Sequence, residues 1–172
     1  MCEHCTHFSF IVSTYCCHAP PKPSGRLWPW GGDSFEKGFY PIMSLPKNFS
    51  YSDEHEWIDA VADAAEGTTV KVGITSVATE RLGEVVFAEL PQVGDTVEAG
   101  ETCGEVESTK SVSDLYAPVT GTVVEVNNAV HDDYSVINAD PFGAGWLFSV
   151  EVSSVGPLMT AEEYAEKNGV EA

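Results

Sequence analysis

Short runs of β-branched and aromatic residues, each cut off by turn-forming residues, fill the chain from Val70 to Val152. Val70-Lys71-Val72-Gly73-Ile74 alternates apolar with other residues, the period of a half-buried strand. Gly83 to Leu90 continues with valine and phenylalanine until Pro91 stops it. Further short strands are expected at Thr96–Glu98, Cys103–Glu107, Asp114–Tyr116, Thr122–Val126 and Trp146–Val152. Gly94-Asp95, Ala99-Gly100, Pro118 to Gly121 and Asn127-Asn128 lie between them and suit tight turns. Punctuation of this kind favours a mainly β fold, a small antiparallel sandwich or barrel, over a parallel α/β sheet.

Two helices interrupt the pattern. Thr75 to Leu82 is opened by Thr75-Ser76 and closed by Gly83. Thr160-Ala161-Glu162-Glu163 fits a capping box, with Thr160 as N-cap and Glu163 reaching back, for a helix over 160–168 ended by Gly169. An internal echo is also present. Gly83-Glu84-Val85-Val86 recurs as Gly121-Thr122-Val123-Val124, and Val93-Gly94-Asp95-Thr96-Val97 has a looser counterpart in Val130-His131-Asp132-Asp133-Tyr134. Such an echo implies two similar halves about an approximate two-fold axis, with a β-hairpin between them.

Charge divides the 172 residues into two objects. Lys+Arg 8 against Asp+Glu 27 gives −19 overall. Residues 1–42 hold three charges of each sign, so residues 43–172 carry 5 − 24 = −19 by themselves. That balance argues against binding nucleic acid, whose phosphates need Lys and Arg, and against a peripheral anchor on anionic lipid. No apolar run approaches the roughly 18 residues that span a bilayer. Residues 1–42 are rich in proline and glycine without sustained periodicity. Cys2, Cys5, Cys16 and Cys17, with His4, His7 and His18, are ligand types that zinc takes, but a single C-x-x-C and an adjacent second pair space them poorly. The stretch also lacks the features of a secretory or mitochondrial leader. It reads as an extension outside the folded domain, which is assigned to residues 43–172.

Lys110 is the only lysine between Lys71 and Lys167. It sits in an expected turn between strands, with Glu107 three residues before it and Asp114 four after. A solubilising surface charge is the ordinary explanation of a lone lysine. An exposed primary amine framed by acids, with only Ser, Thr and Val between, is also a ready acyl acceptor for a modifying enzyme.

Glu107-Ser108-Thr109-Lys110-Ser111, with Asp114, Ala117-Pro118, Gly121, Gly94-Asp95 and Gly100, resembles a lipoyl-attachment motif. Glu54-His55-Glu56-Trp57, Val72-Gly73-Ile74-Thr75, Leu82-Gly83-Glu84-Val85-Val86 and Gly145-Trp146-Leu147 extend the resemblance from Leu45 to Ala172, and together they are similar to the H-protein family of the glycine cleavage system. The resemblance implies a lipoyl-type (barrel-sandwich hybrid) fold and a carrier that is not itself an enzyme, with lipoate amide-linked to Lys110. Glu107 and Asp114 would frame the attachment site. The implied partners are glycine decarboxylase (P-protein), which uses pyridoxal phosphate, the tetrahydrofolate-dependent aminomethyltransferase (T-protein), dihydrolipoyl dehydrogenase (L-protein) and a lipoate-attaching enzyme. The arm would carry the aminomethyl group of glycine between the first two and be reoxidised by the third.

Members of this family fold the loaded arm into a cleft, for which Glu56 and Asp114 are the candidate acids. Arg81 stands where relatives often have histidine, a departure that bears on how the cleft receives an amine. A lipoyl or biotinyl carrier domain of another complex is the alternative. Biotin domains usually flank the lysine with methionine, whereas Thr109 and Ser111 flank Lys110. A reading from a different class, an enzyme using His55 and Glu56, His131 with Asp132 and Asp133, or a nucleophilic Cys103, finds no complete motif. Free Cys103 and the absent leader favour a cytoplasmic location over a mitochondrial one.

Overall fold

The computed structural model of the chain describes residues 44–171. The cysteine and histidine cluster before residue 19 and the domain boundary expected near Met43 therefore lie outside the described residues.

The elements follow in the order β1 (Ser50–Tyr51), β2 (Glu56–Ile58), α1 (Ala62–Ala65), β3 (Thr69–Ile74), α2 (Ser76–Leu82), β4 (Val85–Glu89) and β5 (Thr96–Val97). The chain continues through β6 (Thr102–Ser108), β7 (Val112–Tyr116), β8 (Val119–Val126), α3 (Asn128–Asp132), α4 (Ser135–Ala139), β9 (Phe148–Val155) and α5 (Ala161–Asn168). Two antiparallel sheets result, one ordered β1-β2-β3-β9-β8-β5 and the other β4-β6-β7. Val72, Val123, Phe148 and Val150 of the first share one buried cluster with Val85, Val106 and Leu115 of the second. The expected antiparallel β sandwich is the fold observed.

Both anticipated helices form, for the reasons anticipated. Thr75 caps α2 by accepting the Ala78 N–H. Thr160 and Glu163 make the reciprocal bonds of the capping box on α5, and Gly169 closes it. The helix packs Ala161, Tyr164 and Ala165 onto a second cluster with Leu45, Tyr51 and Trp57. Three short helices and the two strands before residue 60 were not expected. Asn127-Asn128, read as a turn, begins α3: the Asn127 side chain accepts the Ala129 N–H and donates to the carbonyls of Ala144 and Trp146. An amide side chain that replaces backbone pairing gives the same local sequence signal as a turn.

The echo corresponds to a repeated register. In one half Val85 pairs with Ser108, Phe87 with Glu107 and Ala88 with Val106. In the other Val123 pairs with Val150, Glu125 with Ser149 and Val126 with Phe148. The offset is 123 − 85 = 38 on one strand and 150 − 108 = 42 on its neighbour, held over all three pairs. Both strands carry the same one-residue bulge, at Val86 and at Val124. The looser part of the echo fails. Val93–Val97 is a turn leading into β5, whereas Val130–Tyr134 runs from α3 into the link to α4, so the second half has no counterpart of β5. His131, Asp132 and Asp133 are exposed there.

Trp57 is the largest buried side chain of the second cluster. It is 1% exposed, and its indole N–H is shared between Ile74 O at 3.0 Å and Pro141 O at 3.1 Å. Its cross-strand partner is Gly73, and a Cβ at Gly73 would stand 2.4 Å from Trp57 Cζ2. The indole occupies the space that a side chain at Gly73 would need. Gly73→Ala is therefore expected to destabilise the fold by about 1–3 kcal/mol through overpacking. Urea denaturation checks this as a lower midpoint with an unchanged slope.

Candidate functional site

The β6–β7 hairpin ends in a turn built by one hydroxyl. Ser108 Oγ accepts the N–H of Lys110 at 3.1 Å and of Ser111 at 3.0 Å, and donates to Ser111 O at 3.0 Å. The Thr109 N–H donates to Glu84 O at 3.0 Å, so the tip is also fastened to the link between α2 and β4. Lys110 is exposed and, among the described residues, forms no salt bridge. Its aliphatic stem crosses Gly83, where an added Cβ would lie 3.3 Å from Lys110 Cε. Gly83 has φ +86°, which an L side chain rarely adopts, so this platform is bare for two reasons. The backbone of Lys110 is thus fixed, and its amine is free.

Beside this turn lies a cleft of about 220 Å³ between α2, the β1–β2 turn and β7. Glu56, Arg81 and Asp114 all line it, together with His55, Leu82 and Ser111. Residues 58 positions apart in sequence (114 − 56) are brought together in its lining. Glu107 is not among them. Its strand neighbours are Phe87 and Val112, outside the cleft.

Glu56 is not the ordinary exposed carboxylate that its composition suggests. It is 2% exposed. The Ser52 hydroxyl donates to Oε2 and the Tyr116 N–H to Oε1 at 3.1 Å, while the Glu56 N–H donates to Ser52 Oγ at 2.9 Å. Burial raises its pKa above the usual carboxylate value, and the bonds from Ser52 and Tyr116 oppose that rise. Among the described residues no salt bridge reaches it. It also borders a second cavity of about 550 Å³ on the side of Ser52, Tyr116 and Met159.

A hydrogen-bonded relay runs from the cleft toward α5. Arg81 Nη1 meets His55 Nε2 at 2.5 Å, His55 Nδ1 meets Tyr164 Oη at 2.6 Å, and Tyr164 Oη meets Thr75 Oγ1 at 2.9 Å. A guanidinium has only donors, so Nε2 accepts and Nδ1 carries the imidazole proton toward Tyr164. Burial lowers the pKa of His55, Arg81 lowers it further, and Glu54 and Asp53 oppose both. His55 has φ +81°, the sole positive value among described non-glycine residues, and this turns its ring from the β1–β2 turn onto Tyr164. In the sequence His55 stands in the Glu54-His55-Glu56-Trp57 motif and as a candidate catalytic residue, not as a link in a relay. Tyr164, 109 positions away, carried no sequence signal linking it to the cleft.

Cys103 is disqualified as a nucleophile. It is a free thiol half-buried against the main cluster, and burial, followed by the charge of Glu56, pushes its pKa up to about 12. Among the described residues no three His, Cys, Asp or Glu gather in a metal-binding arrangement, and no helix is long and apolar enough to cross a membrane.

The family model described as Glycine cleavage H-protein matches residues 49–170. A glycine cleavage system H protein of Corynebacterium aurimucosum is 74% identical over 130 residues, covering 76% of this chain and 100% of that protein. One from Corynebacterium jeikeium is 58% identical over 127 residues, covering 74% and 99%. The crystal structure of a glycine cleavage system H protein from Mycobacterium marinum superposes with a TM-score of 0.71 at 58% identity, covering 73% of this chain and 100% of that one.

The relay predicts how His55 titrates. Arg81→Ala is expected to move its pKa upward toward the ordinary histidine value but not fully to it, because burial is the larger cause. Imidazole ¹⁵N shifts followed against pH would show this, and an unmoved midpoint would dissociate Arg81 from His55.

Proposed function

The chain belongs to the glycine cleavage H-protein family, the non-catalytic lipoyl carriers of the glycine cleavage system, and on that footing we propose that Lys110 is its lipoylated residue. The observation that carries the assignment is an exposed amine on a rigid turn whose stem lies over bare backbone. Attachment forms an amide between Nζ and the lipoate carboxyl of an activated acyl donor such as the adenylate, releasing AMP and a proton. The bound group supplies the dithiolane that accepts and gives up the aminomethyl cargo. Tethering on a fixed turn gives each partner a high local concentration of that group.

The cleft is proposed as the resting place of the loaded arm. Glu56 supports this role. A buried carboxylate without a cation is costly, and an ammonium entering the cleft supplies the missing counter-charge. Asp114, exposed at the lip, adds a second negative group. Arg81 is drawn toward His55 and so is partly engaged. Glu107, on the strand leading to the turn, is assigned to recognition by the lipoate-attaching enzyme, with Asp114 beside it.

The partners proposed are glycine decarboxylase, the aminomethyltransferase and dihydrolipoyl dehydrogenase. Residues 43–172 are proposed as the carrier domain, with the acidic surface steering basic docking patches on the partners. Cytoplasmic action is proposed from the bacterial relatives and this partner set.

Coexpression with a lipoate ligase is expected to add one lipoyl group to the peptide containing Lys110, read by peptide mass. Lys110→Arg is expected to remain folded while abolishing glycine cleavage with the three partners, and retained activity would refute the assignment. Glu56→Gln keeps an acceptor for the Tyr116 N–H but removes the charge. It is expected to leave lipoylation unchanged and hasten ammonia release from the loaded carrier, measured without the aminomethyltransferase.

A further inference from the structure

Asn138 lies on α4, outside the cleft, yet its carboxamide is spent entirely on the platform beneath Lys110. Nδ2 donates to Gly83 O at 2.8 Å, and Oδ1 accepts the Val85 N–H at 2.9 Å. The other half of the fold shows what these bonds replace. Adding 38 to Gly83 and Val85 gives Gly121 and Val123. There Gly121 pairs with Val97 of β5, and the Val123 N–H donates to Asp95 O at 2.9 Å. No such strand borders β4 beside Gly83 and Val85, and α4 packs there in its stead. A carboxamide carries the same donor and acceptor as a peptide group. One side chain therefore does the hydrogen bonding of the absent strand.

Its two anchor points flank Glu84, whose carbonyl accepts the Thr109 N–H. A continuous path runs from Asn138 through Gly83 and Val85 to Glu84, then to Thr109 and Lys110. We infer that Asn138 is a positioning residue for the modified lysine, holding the Gly83–Val85 platform so that the hairpin tip meets the acylating enzyme in one orientation. This rests on Lys110 being the acylated residue. Without the carboxamide, the Gly83 carbonyl and Val85 N–H lose their partners and the platform moves. If the tip is then competent only about one-fifth of the time, the apparent affinity for the acylating enzyme falls about fivefold.

The test measures lipoyl transfer to the full chain by a lipoate ligase, together with amide hydrogen exchange, for wild type, Asn138→Ala, Asn138→Asp and Thr160→Ala. Asn138→Asp preserves shape and the acceptor but removes the donor, and it serves equally if the alanine variant does not fold. Thr160→Ala breaks a helix cap remote from the lysine turn and controls for lost stability. The expected result is a KM raised about fivefold at similar kcat in both Asn138 variants, with faster exchange at Thr109, and neither change in Thr160→Ala. Transfer at the wild-type rate in the Asn138 variants, or an equal loss in Thr160→Ala, would overturn the inference while leaving Lys110 in place. A wild-type chain that takes no label at Lys110 would overturn the assignment of the lysine itself.

Discussion

The register in which β4 meets β6, and β8 meets β9, governs what faces the core and what faces the lysine. Strand side chains alternate sides, so a one-residue slip would exchange the two faces. The bulges at Val86 and Val124 break that alternation once in each half. Val85 and Ala88 are both buried, while the two residues between them are exposed. Val123 is buried and the two residues after it are exposed, in the same way. Each bulge thus lets a strand leave the core, turn and return. In the first half the start of that strand is the platform over which Lys110 lies, and in the second it is an ordinary part of the larger sheet. The site arises where two nearly equivalent halves are capped differently.

Electrostatics follow from that placement. The cleft beside the turn joins a carboxylate forced inward at Glu56 to a histidine held neutral by burial and Arg81. The two respond to acid in opposite senses. The lowered pKa of His55 makes the unfolded chain the better proton acceptor, so its contribution to stability declines as pH falls below about 6.5. The raised pKa of Glu56 makes the folded chain the better acceptor, so its penalty is relieved as pH falls through its folded value toward 4.5. Both groups line the cleft, and neither belongs to the main β core.

Elements whose causes are local were legible in the sequence. The caps at Thr75, Thr160 and Glu163 set α2 and α5, and the strands from Val70 onward fell within a few residues of their observed ends. β1 and β2, two and three residues long, are too short to show a period, and Tyr51 and Trp57 are buried in a cluster with α5, more than a hundred residues later. β9 begins at Phe148, not Trp146, and runs on to Val155, because its limits are set by pairing with β3 and β8. The cleft was legible only through its motif. Glu56, Arg81 and Asp114 could be grouped by resemblance, but the relay through Tyr164 and the clamp of Asn138 depend on contacts no local pattern encodes.

The thiol of Cys103 has a consequence for a carrier of sulfur chemistry. Exchange between sulfurs requires a thiolate, and a pKa of about 12 leaves roughly one part in 10⁵ of this thiol ionised near neutral pH. The only cysteine among the described residues is thereby kept out of disulfide traffic with any dithiol borne at the proposed attachment site, Lys110, on the same hairpin. Burial thus insulates the scaffold from the arm proposed for it, and would leave the redox state of that arm to other proteins.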